Sequence, residues 1–214
     1  MANSLFFDLD GTLTDPQVGI TRCIEYALEH LSVAIPPDLT WCIGPPLRSS
    51  FVRLVGDTQA DRAVSLYRQR FAEVGWQENS IYPNIPETLA SLSASGFNLY
   101  VATSKPHIYA TKILQHFELA GYFHAVFGSE LDGTRANKAD LLKYAKERLS
   151  LNGNAIMVGD RSYDMVGARA NGLTAIGVSY GYGTVTELEQ AGAEQIVATP
   201  DELVGLLRSR GHRH

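Results

Sequence analysis

The chain has 214 residues, enough for one large or two small domains with a substantial core. Hydrophobic residues make up 45% of it and charged residues 19%, a balance that argues for a soluble globular protein and against disorder. The net charge of −5, with lysines and arginines dispersed, points away from a nucleic-acid polymer as partner.

The N-terminus lacks a basic region and Asp8 interrupts its apolar run, so neither a signal peptide nor a membrane span can be drawn, and the cytoplasm is the default expectation. Leu5-Phe6-Phe7 reads as a buried strand that runs into Asp8-Leu9-Asp10-Gly11. Two carboxylates two residues apart repel unless a cation or a shared proton holds them, although Asp-Gly is also common turn chemistry. From Asp15 to Tyr82 the pattern is helical, with no strand evident. Pro16 opens a helix whose apolar face carries Ile20, Cys23, Ile24, Ala27, Leu28 and Leu31. A second helix follows Ile43-Gly44-Pro45-Pro46, with Leu47, Phe51, Leu54 and Val55 on one face, and a third runs through Ala63, Leu66, Tyr67, Arg70 and Phe71. Cys23 and Cys42 are too few for a disulfide scaffold and read as reduced thiols.

From Ile85 the pattern alternates. A helix at Pro86 to Ser95 ends at Gly96, a strand covers Phe97 to Ala102, and Pro106 opens a helix over His107 to Phe117. A short strand at Val126-Phe127, a helix from Lys138 to Arg148, and strands at Ala155 to Val158, Thr174 to Val178 and Gln195 to Ala198 follow. The basic run Arg208 to His214 reads as a frayed tail. Such alternation predicts an α/β fold with a Rossmann-like parallel sheet, binding its ligand at the carboxyl ends of the strands, and with a small helical cap inserted after the first strand. The domain expectation is a core of 1–15 and 83–214 and a cap of 16–82.

The polar residues at those strand ends are Asp8 and Asp10, then Thr103, Ser104 and Lys105, then Asp160 and Asp164. Lys138 sits at a helix N-terminus, where a cation opposes the macrodipole and is either solvated or faces an anion. Taken singly, Thr103 reads as a helix cap and Asp164 as a first-turn acid. Taken together, these residues converge on one site.

That set, in that order, resembles the haloacid dehalogenase superfamily of phosphohydrolases: the acidic opening at Asp8 to Asp15, the hydroxyl at Thr103, Lys138, and the acidic motif Gly159 to Asp164. The helical insertion resembles the small cap of the subgroup that contains phosphoglycolate phosphatases, β-phosphoglucomutase and several 5′-nucleotidases. Ile43 to Leu47, Ala102 to Pro106 and Tyr180 to Gly183 are most similar to bacterial phosphoglycolate phosphatase-like proteins and 5′-nucleotidases.

The resemblance implies a Mg²⁺-dependent hydrolase of small phosphorylated metabolites, a monomer or small homo-oligomer. Asp8 would attack the phosphorus to give an aspartyl-phosphate, and Asp10 would serve as general acid and then general base. Mg²⁺ would be held by Asp8, the Asp10 backbone carbonyl and Asp160, with Lys138 alongside and Asp164 orienting Lys138 or a metal water. Thr103 and the backbone N–H groups of Leu9 and Ser104 would hold phosphoryl oxygens, together with Lys138. In the cap, Arg48 is the specificity candidate, met from the core side by Lys105 and His107. A phosphomutase uses the same residues and is the chief alternative. A phospho-accepting signalling receiver is disfavoured by the helical insertion and by a DxD that opens the chain.

Overall fold

The computed structural model describes residues 4–151 and 155–211. Six parallel strands form the main sheet: β1 (Ser4–Phe7), β4 (Asn98–Pro106), β5 (Ala125–Ser129), β6 (Ala155–Gly159), β7 (Thr174–Val178) and β8 (Gln195–Val197), in the order β5-β4-β1-β6-β7-β8. The chain builds outward from β1 to β4 and β5, then returns to the other side of β1 for β6, β7 and β8. Strand order therefore reverses at β1, and the crevice beyond the carboxyl ends of β4, β1 and β6 is where such a sheet binds ligand.

Alternation along each central strand buries both faces. Leu5, Phe7, Leu99, Val101, Ile156 and Val158 enter one apolar cluster, while Phe6, Tyr100, Ala102, Ala155 and Met157 enter the other. The first is covered by α4 (Ile85–Ala94), α5 (His107–His116) and α9 (Pro200–Gly211), the second by α6 (Lys138–Arg148), α7 (Ser162–Ala170) and α8 (Val185–Ala191). Each fully buried Phe or Leu contributes about 1.5–3 kcal/mol, so six such strands form a rigid base for their polar ends. Among the described residues no helix is long and apolar enough to cross a membrane.

Between β1 and α4 lie α1 (Gln17–His30), α2 (Leu47–Val55) and α3 (Asp57–Arg70), which ends in a π-helical turn at Phe71–Gly75. These helices share an apolar cluster of their own, built on Cys23, Ile24, Ala27, Leu28, Phe51, Ala63 and Tyr67. Both cysteines are buried free thiols.

Three expectations need correction. Two short strands, β2 (Thr14–Asp15) and β3 (Ser80–Ile81), pair antiparallel at the two points where the chain enters and leaves the helical segment. Two residues are too short for an alternating pattern to register. Strand β4 runs on to Pro106 with an irregular register between Thr103 and Pro106, so Thr103 lies within the strand, where its regular pairing stops, and caps no helix. The basic tail is helical as far as Gly211 in α9, where Arg208 donates to the hydroxyls of Ser95 and Ser91 at 3.2 and 2.8 Å. The last three residues of that tail lie outside the described residues.

Candidate active site

The ends of β1, β4 and β6 bring the predicted residues to one corner. Asp8 leaves β1 with its N–H donated to the Val158 carbonyl at 2.9 Å, which extends the sheet by one bond and fixes where the carboxylate points. Lys138, the first residue of α6, is buried, and its ammonium lies 3.1 Å from Asp8 Oδ1, 2.8 Å from Asp164 Oδ1 and 2.8 Å from the Ala102 carbonyl oxygen. The ammonium donates a hydrogen bond to the Ala102 carbonyl and is ion-paired with the two carboxylates. Burial works against the charged form, but Asp164 and Asp8 outweigh it and hold the Lys138 pKa above its usual value. The solvated-lysine reading of this position is therefore excluded.

Asp160 is fully buried, accepting from the Tyr182 N–H at 2.8 Å and lying 3.4 Å from the Thr12 hydroxyl. Burial first, then the nearby Asp164 and Asp8, push its pKa far up. Asp164 is pushed up to about 6, again chiefly by burial, with Lys138 opposing the shift. Its Oδ2 also accepts the Arg161 N–H at 3.1 Å, so the acid helps to cap α7 while pairing with Lys138. Oxygens of Asp8, Asp160 and Asp164 all lie within 4.8 Å of one another. Three carboxylates share one ammonium in a buried, all-oxygen pocket, and the mutual repulsion that adds to burial in raising Asp160 and Asp164 is what a hard divalent cation would relieve.

Asp10 stands apart from this triad. Its Oδ2 is 2.7 Å from the Lys105 ammonium, while its buried Oδ1 has no hydrogen-bond partner. Burial raises its pKa, against the opposing pull of Lys105. Lys105, a specificity candidate from sequence, thus spends its charge on Asp10 and sits 4.7 Å above the Phe71 ring. The Leu9 N–H donates to Asp8 Oδ1 at 2.7 Å. Thr103 is buried and its hydroxyl accepts the Lys105 N–H at 3.2 Å; the Ser104 carbonyl accepts the Ser129 hydroxyl at 2.8 Å.

A cavity of about 350 Å³ opens above the corner, lined from below by Asp8, Asp10, Thr103, Ser104 and Lys105 and from above by Pro45, Leu47, Val64, Tyr67 and Phe71. Arg48 reaches its edge, but the guanidinium is taken up by Asp61 at 2.8 Å and Asp57 at 3.0 Å. His107 is exposed at the start of α5 and does not line the cavity.

Sequence reasoning missed the groups that seat Asp160. Gly11 adopts φ +82°, and a Cβ there, or on Gly181, would overlap the Asp160 carboxylate. The alternation Tyr180-Gly181-Tyr182-Gly183 was the available signal: Gly181 allows the close approach that aims the Tyr182 N–H at Asp160. Tyr182 also donates its hydroxyl to Asp15. Arg161, next to Asp160, spans from the Ile43 carbonyl at 2.5 Å to Glu187 at 3.0 Å and so ties the site to the loop before α2. No local pattern announces that link.

The model of the haloacid dehalogenase-like hydrolases matches residues 5–178. A 5′-nucleotidase of Pseudomonas aeruginosa is 44% identical over 190 residues, covering 86% of this chain and 86% of its own. Tyrosine-protein kinase PtkA of Mycobacterium tuberculosis is 37% identical over 204 residues, 93% of this chain and 70% of its own. A solved structure from Clostridium acetobutylicum, described as a predicted phosphatase, matches with a TM-score of 0.93 at 43% identity, over 98% of this chain and 99% of its own. Since the matched stretch runs from β1 to the end of β7 and carries every carboxylate of the corner, this chain belongs to the haloacid dehalogenase-like hydrolases and is an enzyme of their phosphatase branch.

Proposed function

We propose that the chain is a Mg²⁺-dependent phosphomonoester hydrolase of the cytoplasm that works through an aspartyl-phosphate on Asp8, with a 5′-nucleotide as substrate ahead of phosphoglycolate. The observation that carries this reading is the placement of Asp8 at the floor of the cavity, with Lys138 and the Leu9 N–H both held on Oδ1. That arrangement directs the other oxygen toward an incoming phosphoryl group. The named 5′-nucleotidase relative supports the nucleotide, as does the cavity, whose 350 Å³ exceeds what a two-carbon acid needs.

In the first step an Asp8 oxygen bonds to phosphorus and the ester P–O bond breaks, with Asp10 delivering a proton to the leaving oxygen. Burial favours the protonated form of Asp10, and its unpartnered Oδ1 is the position from which that proton leaves. In the second step a water gives its proton to Asp10 and attacks phosphorus, releasing phosphate and restoring Asp8. Asp8, Asp160 and the Asp10 carbonyl would hold Mg²⁺, with Asp164 beside them; when bound, the ion neutralises phosphoryl charge as the carboxylate approaches. The Thr103 hydroxyl and the Ser104 N–H supply neutral donors to the phosphoryl oxygens, and the Leu9 N–H joins them on leaving Asp8 Oδ1. Residues 16–82 act as a cap over the core of 1–15 and 83–214 and exclude water during transfer.

The test is phosphate release from a panel of nucleoside 5′-monophosphates, 2-phosphoglycolate and sugar phosphates, with Mg²⁺ and with chelator, alongside an assay for sugar-phosphate isomerisation. Mg²⁺-dependent release from nucleotides that Asp8→Asn abolishes is expected. Isomerisation without release would overturn hydrolysis in favour of mutase chemistry.

A further inference from the structure

The core holds the helical segment by different means on its two sides. The β2–β3 pair joins its entry and exit, and on the β4 side the contacts are aromatic: Phe71 meets Tyr109 edge-on at 5.0 Å and Trp76 meets His116 edge-on at 5.7 Å. On the β6 side the contact is polar. Arg161, the residue after Asp160, donates to the Ile43 carbonyl at 2.5 Å, and among the described residues no other hydrogen bond or ion pair joins residues 18–78 to the core.

The aim of that arginine is set from behind. Its Nε donates to Glu187 Oε1 at 3.0 Å, the same oxygen accepts the Ser162 N–H at 2.8 Å, and the Glu187 N–H is itself held by the Thr184 hydroxyl at 3.1 Å. Arg161 exposes 16% of its side chain, so losing the carbonyl would leave donors poorly solvated. The loop needs this support. Pro45 and Pro46 have no N–H with which to tie themselves down, and Gly44 and Pro46 line both the cavity above Asp8 and a second cavity of about 350 Å³ shared with Ser104, Ala136 and Ser162. Gly44, at φ +101°, lies against the arginine, where a Cβ would come within 2.9 Å of Arg161 Cγ.

We infer that Arg161 is a positioning residue for phosphoryl transfer: by holding the Ile43 carbonyl it sets the wall of Gly44, Pro45 and Pro46 over the cavity that Asp8 floors. The aromatic contacts fix the segment on the β4 side and the arginine fixes it on the β6 side. A leaving group large enough to reach the loop depends on that placement, and a small one does not. The arginine makes no bond to the Asp160 carboxylate, so cation binding by the acids is independent of it. This inference rests on the reading of residues 16–82 as a cap over the site.

The experiment compares wild type, Arg161→Ala, Arg161→Lys and Gly44→Ala by amide hydrogen exchange, by the rise in melting temperature with Mg²⁺, and by kcat and KM for acetyl phosphate and for the best nucleoside or sugar monophosphate. In Arg161→Ala the amides of Cys42 to Gly44 should exchange about tenfold faster while those of Ser4–Phe7 keep the wild-type rate, and the Mg²⁺ effect should be retained. KM for the larger ester should rise about tenfold, with kcat/KM for acetyl phosphate within about threefold of wild type. Gly44→Ala disturbs the same contact from the loop and should reproduce both effects without touching Asp160; it carries the test if Arg161→Ala does not fold. Arg161→Lys, able to reach the carbonyl or Glu187 but not both, should fall between. Unchanged exchange at Cys42 to Gly44, faster exchange with no rise in KM, or an equal loss on both substrates together with loss of the Mg²⁺ effect would each overturn the inference. Release of phosphate from neither ester by wild type would overturn the phosphatase reading instead, and the exchange rates would still decide what Arg161 holds.

Discussion

The Lys138 corner and the Arg48 cluster contain the same kinds of charge in opposite surroundings. Lys138 exposes 3% of its side chain and Asp164 1%, whereas Arg48 exposes 51% and its partners Asp57 and Asp61 76% and 78%. Water screens the second cluster, and exposed pairs of this kind contribute little. In the first, removal from water makes both attraction and repulsion several times stronger, so the loss of one group leaves its neighbours with uncompensated charge. Geometry at the strand ends is thus enforced by electrostatics as well as by packing, while the helical segment is free to vary its surface charges.

The sharpest way to break this comparison is to remove the nucleophile without disturbing the corner. Asp8→Asn keeps the size of the side chain, and kcat should fall more than about a hundredfold while the melting temperature stays close to wild type; a residual rate above a hundredth would refute the covalent route. Lys138→Met leaves Asp8 and Asp164 facing each other with no cation. We expect a stability loss of about 3–5 kcal/mol by urea denaturation together with loss of turnover, and partial recovery of stability when Asp164→Asn is added.

Metal and pH sharpen the comparison further. Asp164, pushed up to about 6, and Asp160, also raised, bind protons in the folded chain at pH values where the unfolded chain has released them. Without metal, their contribution to stability is therefore greatest below the ordinary carboxylate range and is lost as pH rises toward about 6. Mg²⁺ needs the ionised carboxylates, so the rise in melting temperature that it produces should grow between about pH 4 and pH 7. A Mg²⁺ effect that is flat across this range, or unchanged in Asp160→Ala, would contradict the assignment. The smallest effect belongs to Arg48→Ala, which should shift the melting temperature by less than about 2 °C, and less still in high salt. A large loss there would show that the exposed cluster is coupled to the corner after all.

Strands and helices of the core were readable because each carries its own periodicity. Lys138–Arg148 and Thr174–Val178 fall where the pattern put them. Asp8, Asp160, Asp164 and Lys138 were readable because each follows or opens such an element, and parallel strands necessarily bring their carboxyl ends together. Lys105 and Arg48 were less so. Both were read as cations facing the substrate, yet one is bound to Asp10 and the other to Asp57 and Asp61. Which carboxylate a long flexible cation finds depends on distances that local spacing does not encode.

By itself, then, the sequence determined the order of elements, the parallel α/β core and the identity of the residues at its strand ends, since burial patterns and strand termini are local properties. Only the tertiary structure decided which charges cancel. It seated Asp160 beneath Gly11 and Gly181, linked Arg161 to the Ile43 carbonyl, and left Arg68 without a partner in the described residues lining the cavity. Those outcomes follow from packing between segments far apart in the chain, where a shift of a few ångströms separates an ion pair from a free charge.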